Sequence, residues 1–328
     1  MVDVPDASTA RAAWPVPYQE VRGDRTGALA ELECWLVRAT LGGVVRLPLG
    51  LQSALTGGLA RLAARLDRRH SDEARRFLEQ AFGKDLERAR REELVHAAWR
   101  QLFAGVLDAE RFDRRILRSG DLLDHFDVSE QGDLPRVVAA GRGALVVTCH
   151  LGAWEAVAAV LPHLGLTPLY AVARPPRNRP LSEVLQRSRE ARGYRVLPRH
   201  GAIKHIPTIV AAGGYVALVV DQRARGKTVL APFFGRLAHC ERAFAVLARR
   251  LRVPLVVGMG IKMPEPDRYA LRVPRVFWPE ELAALDPAGI LGAINAEFER
   301  MILAQPDQYL WLHDRYRNAP PAEASDPR

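Results

Sequence analysis

From about residue 135 onward, short apolar runs alternate with stretches that have the spacing of amphipathic helices. The runs are rich in Val and Leu, and their lengths are those of strands. A repeated order of strand and helix is typical of a largely parallel sheet with crossover helices. The sequence therefore predicts an α/β fold in which helices flank a largely parallel central sheet. The predicted strands cover residues 144–149, 168–173, 194–197, 215–220 and 254–261, with 269–273 as a further candidate.

The chain before this alternation has helical spacing, with apolar residues on one face of a predicted helix and Arg and Glu on the other. The predicted helices cover residues 33–66, 71–82 and 86–107, and one more, over 286–304, follows the strands. We expect four parts: a loosely ordered segment over 1–30, a helical membrane-associating part over 31–110, an α/β domain over 111–320 and a polar tail over 321–328.

The composition is that of a folded globular protein, with 48% hydrophobic and 26% charged residues. The formal net charge of +9 favours anionic partners, such as phospholipid headgroups or an acidic carrier protein. There is no dense basic stripe and no recognisable nucleic-acid-binding module, so we expect no nucleic-acid partner. The cysteines, Cys34, Cys149 and Cys240, lie far apart and predict neither a disulfide framework nor a zinc site.

The segment from Trp35 to Leu66 is apolar but is interrupted by arginines. Its longest charge-free piece, Leu47 to Ala60, is shorter than the roughly 20 residues that a membrane-spanning helix needs. The first thirty residues also lack the apolar core of a secretory signal. Two interpretations of the apolar segment stay open: a helix that lies in the membrane interface, or an amphipathic helix that packs on the domain.

The predicted strand over 144–149 is followed directly by His150, and Gly152 comes two residues later. Open α/β sheets commonly bind ligands at the carboxyl ends of their strands. We expect the turn at Gly152 to bring the carboxylate of Glu155 to the imidazole, which would then act as an oriented general base. A histidine with a purely structural role is the alternative. The spacing differs from that of zinc proteases and no third ligand is present, so we expect no metal.

Two more predicted strands end in polar residues at the same edge of the sheet. Asp221 and Gln222 follow the strand over 215–220, where an acid either joins the site or caps the next turn. The segment over 174–180, which contains three arginines, follows the strand over 168–173. Arginines there would bind phosphate or polarise a carbonyl oxygen, whereas a solvated basic loop is the simpler alternative.

A pair of aromatic residues, Phe233 and Phe234, lies between Pro232 and Gly235. Such a segment, followed by a helix, suits a loop that lines an apolar tunnel or groove for an acyl chain. A hydrophobic plug beneath a surface loop would have the same sequence pattern. The sequence alone leaves both interpretations open.

Taken in order along the chain, these motifs resemble those of the bacterial lipid A biosynthesis acyltransferases, the lauroyl and myristoyl transferases that complete lipid A. Phosphatidylinositol mannoside acyltransferases share the same core. The resemblance covers the chain from about Trp35 to Pro320. Its motifs are Leu47–Ala60, Ala81–Gly83, His150–Glu155, Arg174–Pro175, Asp221–Gln222, Pro232–Gly235 and Gln308–His313.

The resemblance implies the α/β acyltransferase sheet with flanking helices, peripheral to or shallowly inserted in the cytoplasmic face of the bacterial inner membrane. It implies an O-acyltransferase that moves a fatty acyl group from acyl-carrier protein or coenzyme A to a hydroxyl of an anionic membrane glycolipid. We expect no cofactor and a monomer. The implied catalytic residues are His150 as the base, Glu155 as its partner, Arg174 and Asp221. The expected substrate-binding residues are Gly152, Trp154, Arg177, Asn178, Gln222, Phe233, Phe234 and Gly235.

The chemistry needs a group that stabilises the oxyanion, and we expect backbone amides of the Gly152 turn, or Arg174, to supply it. Ala153 and Arg223 depart from the family's common Asn and acid, and residues 238–243 lack its usual hydroxyl residues. These departures lie where substrate is expected to bind, so they bear on the identity of the acceptor more than on the type of reaction. Two other classes of function stay open: a thioesterase or lipase-type hydrolase, and a non-catalytic lipid-binding protein of the same fold. A hydrolase would need a Ser or Cys nucleophile near His150, and the sequence offers none.

Overall fold

The computed structural model describes residues 14–16, 23–224 and 226–321. Most of the predicted segment over 1–30 and nearly all of the predicted tail over 321–328 lie outside the described residues. The strands are β1 Phe126–Glu130, β2 Ala144–Thr148, β3 Leu169–Ala173, β4 Tyr194–Pro198, β5 Tyr215–Val219, β6 Thr228–Phe233, β7 Arg236–Glu241, β8 Leu255–Lys262 and β9 Tyr269–Phe277.

Seven of these strands form one sheet in the order β1-β9-β8-β2-β5-β3-β4, and β6 and β7 form a separate antiparallel hairpin. Five strands, β2, β3, β4, β5 and β8, run parallel, whereas β9 is antiparallel to β8 and β1 is parallel to β9. The predicted α/β fold with a largely parallel central sheet is therefore confirmed. The five strands predicted outright are all present, while β1 and the hairpin were not predicted.

Helices precede the sheet and cover both of its faces. The segment predicted as one helix over 33–66 is two helices, because Pro48 precedes the second and a proline inside a helix would remove a hydrogen bond. The helices are α1 Ala28–Val44, α2 Leu49–Leu66, α3 Arg68–Phe82, α4 Arg88–Arg111, α5 Leu117–Ser119, α6 Leu134–Ala139, α7 Trp154–Val160, α8 Arg179–Ala191, α9 Ala202–Ala211, α10 Arg242–Leu251, α11 Pro279–Ala284 and α12 Pro287–Ala304. A π-helical stretch, Phe112–Ile116, continues α4, and 3₁₀ turns occur at Leu122–His125, Leu161–Leu164 and Pro306–Gln308.

The sheet separates two buried hydrophobic clusters. Leu145 and Val147 of β2 belong to one cluster, which also contains Phe77 of α3. Val146 belongs to the other cluster, together with Val157 of α7. The alternation follows from strand geometry, because successive side chains point to opposite faces of a sheet. The N-terminal helices thus share a core with one face of the sheet.

Helix α2 packs on the rest of the protein through polar and small residues rather than through its leucines. Gln52, Thr56, Ala60 and Ala64, spaced at every fourth position, are buried. The leucines of the opposite face are roughly half exposed or more: Leu51, Leu55, Leu59, Leu62 and Leu66. Apolar residues of α1 are exposed as well, including Trp35. No helix within the described ranges combines the length and the hydropathy needed to cross a membrane.

Candidate active site

The carboxyl ends of β2 and β5 lie side by side in the sheet. Thr148 of β2 pairs with Val219 of β5 in parallel register. His150 and Asp221 each follow two residues after this pair, so the two chain segments leave the sheet together. The register therefore brings the side chains into contact, although His150 and Asp221 are 71 residues apart in the chain.

Two hydrogen bonds join His150 to Asp221. The Nδ1 atom of the imidazole lies 2.7 Å from Oδ1 of Asp221, and the backbone N–H of His150 donates to Oδ2 at 3.0 Å. A carboxylate only accepts hydrogen bonds, so Nδ1 carries the proton and Nε2 of the neutral ring carries the lone pair. The His150 side chain is 20% exposed, whereas that of Asp221 is 2% exposed. This geometry leaves Nε2 as the nitrogen that can accept a proton from a substrate.

Burial and charge act in opposite directions on this pair. Burial alone would lower the pKa of His150, but the charge and hydrogen bond of Asp221, with a smaller contribution from Glu155, raise it above 6.5. Burial alone would raise the pKa of Asp221, but the imidazole, the His150 N–H and the Tyr309 hydroxyl together lower it below 3.8. Asp221 is therefore ionised at neutral pH and makes the imidazole more basic.

Glu155 contacts arginines and a tyrosine rather than His150, so the structure shows no direct contact by which its carboxylate would orient the imidazole. Oε1 of Glu155 pairs with Arg189 of α8. Oε2 accepts a hydrogen bond from the Tyr194 hydroxyl at 3.0 Å and lies 3.3 Å from Nη1 of Arg192. Burial would raise the pKa of Glu155, but the two arginines and the tyrosine lower it below 4.5. The carboxylate ties the first turn of α7 to α8 and β4.

The amide of Gly152 is already occupied, which contradicts its expected role as an oxyanion donor. Its N–H donates to the main-chain oxygen of Gln308 at 2.9 Å, and the N–H of Ala153 donates to Gly260 at 2.9 Å. Gly152 has a φ of +58°, and a Cβ there would lie 2.0 Å from the main-chain oxygen of Gly260. The glycine is required because the turn runs directly against β8.

Comparison with known proteins identifies the family to which this site belongs. The family described as bacterial lipid A biosynthesis acyltransferase matches residues 25–318. The chain is 28% identical over 295 residues to a lipid A biosynthesis lauroyltransferase of Escherichia coli (strain K12), which covers 87% of this chain and 92% of that protein. It is 27% identical over 206 residues to a lipid A biosynthesis palmitoleoyltransferase of the same organism, covering 61% and 64% of the two chains. A lipid A biosynthesis acyltransferase of Shigella flexneri matches equally well.

The chain belongs to the bacterial lipid A biosynthesis acyltransferase family. It is therefore an acyltransferase, as the sequence analysis expected. The departures at Ala153, Arg223 and 238–243 lie within the matched range, so they are variations inside the family.

The arginine-rich segment of this acyltransferase lies at the end of β3, on the far side of β5 from His150. Arg174 is exposed, and Arg177 is exposed and pairs with Asp24 at 3.3 Å. Asn178 is buried and caps α8, with its side-chain oxygen accepting the N–H of Leu181 and its amide donating to Ala30. Asn178 thus has a structural role, and its expected contact with substrate stays a prediction.

Phe233 and Phe234 pack inside an aromatic cluster and do not line an open groove. Phe233 ends β6 and is fully buried, and Phe77, Trp311 and Tyr316 surround the pair. The turn that follows has left-handed φ at Phe234 (+48°) and Gly235 (+71°), as a tight hairpin requires. This packing favours the interpretation as a hydrophobic plug, while the acyl-lining role of Phe233, Phe234 and Gly235 stays a prediction.

Two other predicted substrate-binding residues lie close to His150 and Asp221, at the edge of the sheet that carries this pair. The ring of Trp154 contacts that of His150 edge to face, with 5.2 Å between centroids. Gln222 directly follows Asp221 and is exposed. Neither position contradicts a role in binding. In the described part of the chain, no three or more His, Cys, Asp or Glu side chains are grouped so as to hold a metal ion.

A cavity of about 910 Å³ lies behind the Gly152 turn, between α2, α4 and the connection from β8 to β9. Its volume is in the range of ligand pockets, roughly 300–1,000 Å³. Gln101 and Gln308 line the cavity and hold the turn from that side, since the Gln101 amide donates to the main-chain oxygen of Gly152. Lys262 bonds the Gln101 side chain and pairs with Asp108. His150 is not among the residues that line this cavity.

Sequence reasoning assigned no role to several residues that hold the site together. The Tyr309 hydroxyl donates to Oδ2 of Asp221 at 3.0 Å. Nε2 of His313 accepts the backbone N–H of Arg223 at 2.9 Å, and burial lowers the pKa of His313 to about 4. Tyr309 and His313 lie within the Gln308–His313 motif of the family resemblance, so the sequence marked the segment without indicating its contacts.

Proposed function

We propose that this acyltransferase moves a fatty acyl group from an acyl thioester, of acyl-carrier protein or coenzyme A, to a hydroxyl of a lipid A precursor or a related anionic glycolipid. The observation that carries the proposal is the contact between His150 and Asp221, which leaves Nε2 free on a partly exposed imidazole whose pKa is raised. The relatives' activities, lauroyl and palmitoleoyl transfer in lipid A biosynthesis, support the class of acceptor.

In the proposed reaction, Nε2 of His150 takes the proton from the acceptor hydroxyl as that oxygen attacks the thioester carbonyl. A C–O bond forms, the C–S bond breaks, and His150 returns the proton to the leaving thiolate. Asp221 stabilises the imidazolium that exists between these steps. Exchange of a thioester for an ester is downhill, so the step requires no nucleotide. Arg174 remains the expected donor to the oxyanion, since the Gly152 amide is taken.

Glu155 takes a different part in this proposal from the one that the sequence suggested. Its carboxylate neutralises Arg189 and Arg192 and thereby fixes the helix that directly follows the His150 turn. Arg192 is only 4% exposed and also pairs with Asp113 at 2.6 Å, so Glu155 is one of two carboxylates that hold its guanidinium. Glu155 therefore acts on the reaction by placing the turn, with a small electrostatic contribution to the basicity of His150.

The exposed leucines of α1 and α2 support binding to the surface of a membrane. A helix that only packed on the domain would turn its leucines inward, yet Leu55, Leu59 and Leu62 face outward at 46%, 49% and 53% exposure. Arg61 and Arg65 lie on the same helix, where they suit anionic headgroups. We therefore favour the membrane-interface interpretation, with the cytoplasmic face of the inner membrane as the proposed site.

A hydrolase would need a nucleophile that His150 can activate. The adjacent thiol, Cys149, is fully buried in the core on the opposite side of the strand, and burial raises its pKa well above 9.0. A protonated, inaccessible thiol is a poor nucleophile. The geometry thus favours direct transfer between two bound substrates over a covalent acyl-enzyme.

Mass spectrometry of membrane lipids from cells with and without the protein tests the proposal. We expect one glycolipid species to gain the mass of a single ester-linked acyl chain only when the protein is present, and a His150→Ala variant to lose this species. Identical lipid profiles in all three strains would contradict the proposed function. Accumulation of free fatty acid without a new glycolipid would instead identify a hydrolase.

A further inference from the structure

We propose that Tyr309 is a positioning residue for the reaction and acts through Asp221 to set the orientation and basicity of His150. The inference rests on the proposed role of His150 as the base. It assigns a role to the C-terminal segment Gln308–Leu310, which lies far from both residues in the chain. Tyr309 itself is 2% exposed and has no surface from which it could touch a substrate.

The contacts of Asp221 support this role. Oδ2 accepts two hydrogen bonds, from the Tyr309 hydroxyl at 3.0 Å and from the His150 N–H at 3.0 Å. With Oδ2 held on both sides, the carboxylate cannot rotate, and Oδ1 stays 2.7 Å from the imidazole. A hydrogen bond from a neutral donor also withdraws charge from the carboxylate. Tyr309 therefore limits how strongly Asp221 attracts the proton of His150.

The main chain of the same segment fixes the turn that carries His150. Leu310 donates its N–H to the main-chain oxygen of His150 at 3.1 Å, and the Gly152 N–H donates to Gln308 at 2.9 Å. Leu151 and Tyr309 form an isolated antiparallel bridge between these bonds. The Gln308 side chain bonds both main-chain groups of Lys262, which anchors the segment to the end of β8. Tyr309 thus approaches Asp221 from a backbone that is already tied to the catalytic turn.

Other titratable groups face this network from every side. Glu155 of α7 raises the pKa of His150, while Cys149, from the end of β2, is a buried thiol beside Asp221. His313 and Arg315 face Asp221 and Tyr309 from the C-terminal segment, and His313 is neutral at neutral pH because burial lowers its pKa to about 4. Arg315 is 1% exposed and bonds the main-chain oxygen of His239. None of these groups contacts Nδ1 of His150, so the Tyr309 effect is expected to pass through Asp221.

The test is a Tyr309→Phe substitution, with Tyr316→Phe as the matched control. Tyr316 is also buried, at 9% exposure, but its hydroxyl donates to the main-chain oxygen of Phe233 at 2.6 Å. The charged groups that act on it include Glu299, Arg236 and Arg315, and neither His150 nor Asp221 is its hydrogen-bond partner. The pKa of His150 is measured by NMR on protein with ¹³Cε1-labelled histidine, and its signal is assigned with His150→Gln. Turnover is measured with a labelled acyl-carrier-protein thioester and a purified lipid A precursor.

In Tyr309→Phe we expect a higher His150 pKa than in the wild type, a kcat about tenfold lower and a KM within about twofold. Tyr316→Phe should leave the His150 pKa and kcat unchanged. In an Asp221→Asn background, adding Tyr309→Phe should no longer move the His150 pKa. The NMR readout needs no acceptor, so it remains decisive even if the proposed substrate is wrong.

Three results would overturn the inference: an unchanged His150 pKa in Tyr309→Phe, an equal shift in Tyr316→Phe, or a shift that persists in the Asp221→Asn background. If Tyr309→Phe does not fold, fluorotyrosine incorporated in place of all tyrosines, which strengthens hydroxyl donors, provides the second measurement. It should lower the His150 pKa in the wild type and leave it unmoved in Asp221→Asn, and any other pattern counts against the proposal.

Discussion

His150 and Asp221 are joined through both the ring and the main chain of the histidine, with 2.7 Å between Nδ1 and Oδ1 and 3.0 Å between the His150 nitrogen and Oδ2. The second bond fixes the backbone of the turn, so the carboxylate sets both the tautomer of the imidazole and the direction in which it points. Asp221 therefore both fixes the turn and orients the imidazole. From the sequence we expected Glu155 to orient the imidazole, brought there by the turn at Gly152.

Asp221→Asn is expected to lower the rate of acyl transfer by about 10³-fold, because the amide cannot stabilise the imidazolium. The pH at which kcat/KM is half-lost on the acid side of its pH profile, the midpoint of the acid limb, should also change. In the wild type this midpoint lies above pH 6.5, because the pKa of His150 is raised. Without the charge of Asp221 the effect of burial prevails, and the midpoint should fall below 6.5. A variant with a wild-type pH profile would show that Asp221 is not the partner of the base.

Glu155→Gln is expected to affect folding more than it affects the pH profile. Arg189 loses its carboxylate partner, whereas Arg192 keeps Asp113 at 2.6 Å, and the loss of one partner from this partly buried pair is expected to cost about 1–3 kcal/mol. Urea denaturation measures the free energy of unfolding, and the acid limb of kcat/KM is recorded on the same preparation. A stable variant whose acid limb moves as far as that of Asp221→Asn would restore Glu155 as the partner of His150.

The stability of the His150–Asp221 pair should depend on pH in a defined direction. Folding raises the pKa of His150, so its contribution is complete below the unfolded value of about 6.5 and is lost as the pH rises through the folded value. Folding lowers the pKa of Asp221, so its contribution is present above about 3.8 and is lost as the pH falls through the folded value. Asp221→Asn should therefore destabilise the protein more at about pH 5.5 than at about pH 9. Equal free-energy differences at the two values would contradict the coupling.

Replacement of three outward leucines of α2, in Leu55→Gln/Leu59→Gln/Leu62→Gln, is expected to weaken binding to anionic phospholipid vesicles about 100-fold. Each half-exposed leucine buries apolar area worth about 1 kcal/mol when it enters a membrane. Sedimentation with vesicles measures the partition. The control is Leu303→Gln on α12, a leucine that is 44% exposed but lies on a different helix. An unchanged partition of the triple variant would exclude α2 as the membrane-binding surface.

Most of the fold was predictable because β2, β3, β4, β5 and β8 are apolar runs with clear helical stretches between them. The strand β1 has the sequence Phe-Asp-Val-Ser-Glu, which is largely polar, and its last two residues are exposed. It therefore lacks the apolar run that marks the other strands. The β6–β7 hairpin was missed because Pro232, Phe233 and Phe234 were interpreted as a loop. Its turn residues, Phe234 and Gly235, have left-handed φ, and the ring of Phe234 packs against Phe77 of α3, a long-range contact that the local sequence does not indicate.

The members of the site were predictable to a greater extent than its contacts. His150 and Asp221 could be placed at one edge of the sheet, because both follow apolar strands. Their direct contact depends on β2 lying beside β5, an order that local pattern does not encode. Glu155 instead accepts hydrogen bonds from Arg192 and Tyr194, which are 37 and 39 residues away in the chain. Long-range packing therefore decided which acid reached the imidazole.

The most direct test of the central claim is the rate of acyl transfer from a labelled acyl-carrier-protein thioester to a purified lipid A precursor, measured for the wild type and for His150→Ala. Far-ultraviolet circular dichroism and thermal melting confirm that both proteins are folded. We expect the folded variant to lose at least about 10³-fold in rate, because it lacks the proposed general base for the acceptor hydroxyl. A folded His150→Ala protein that transfers the acyl group at the wild-type rate would contradict the account.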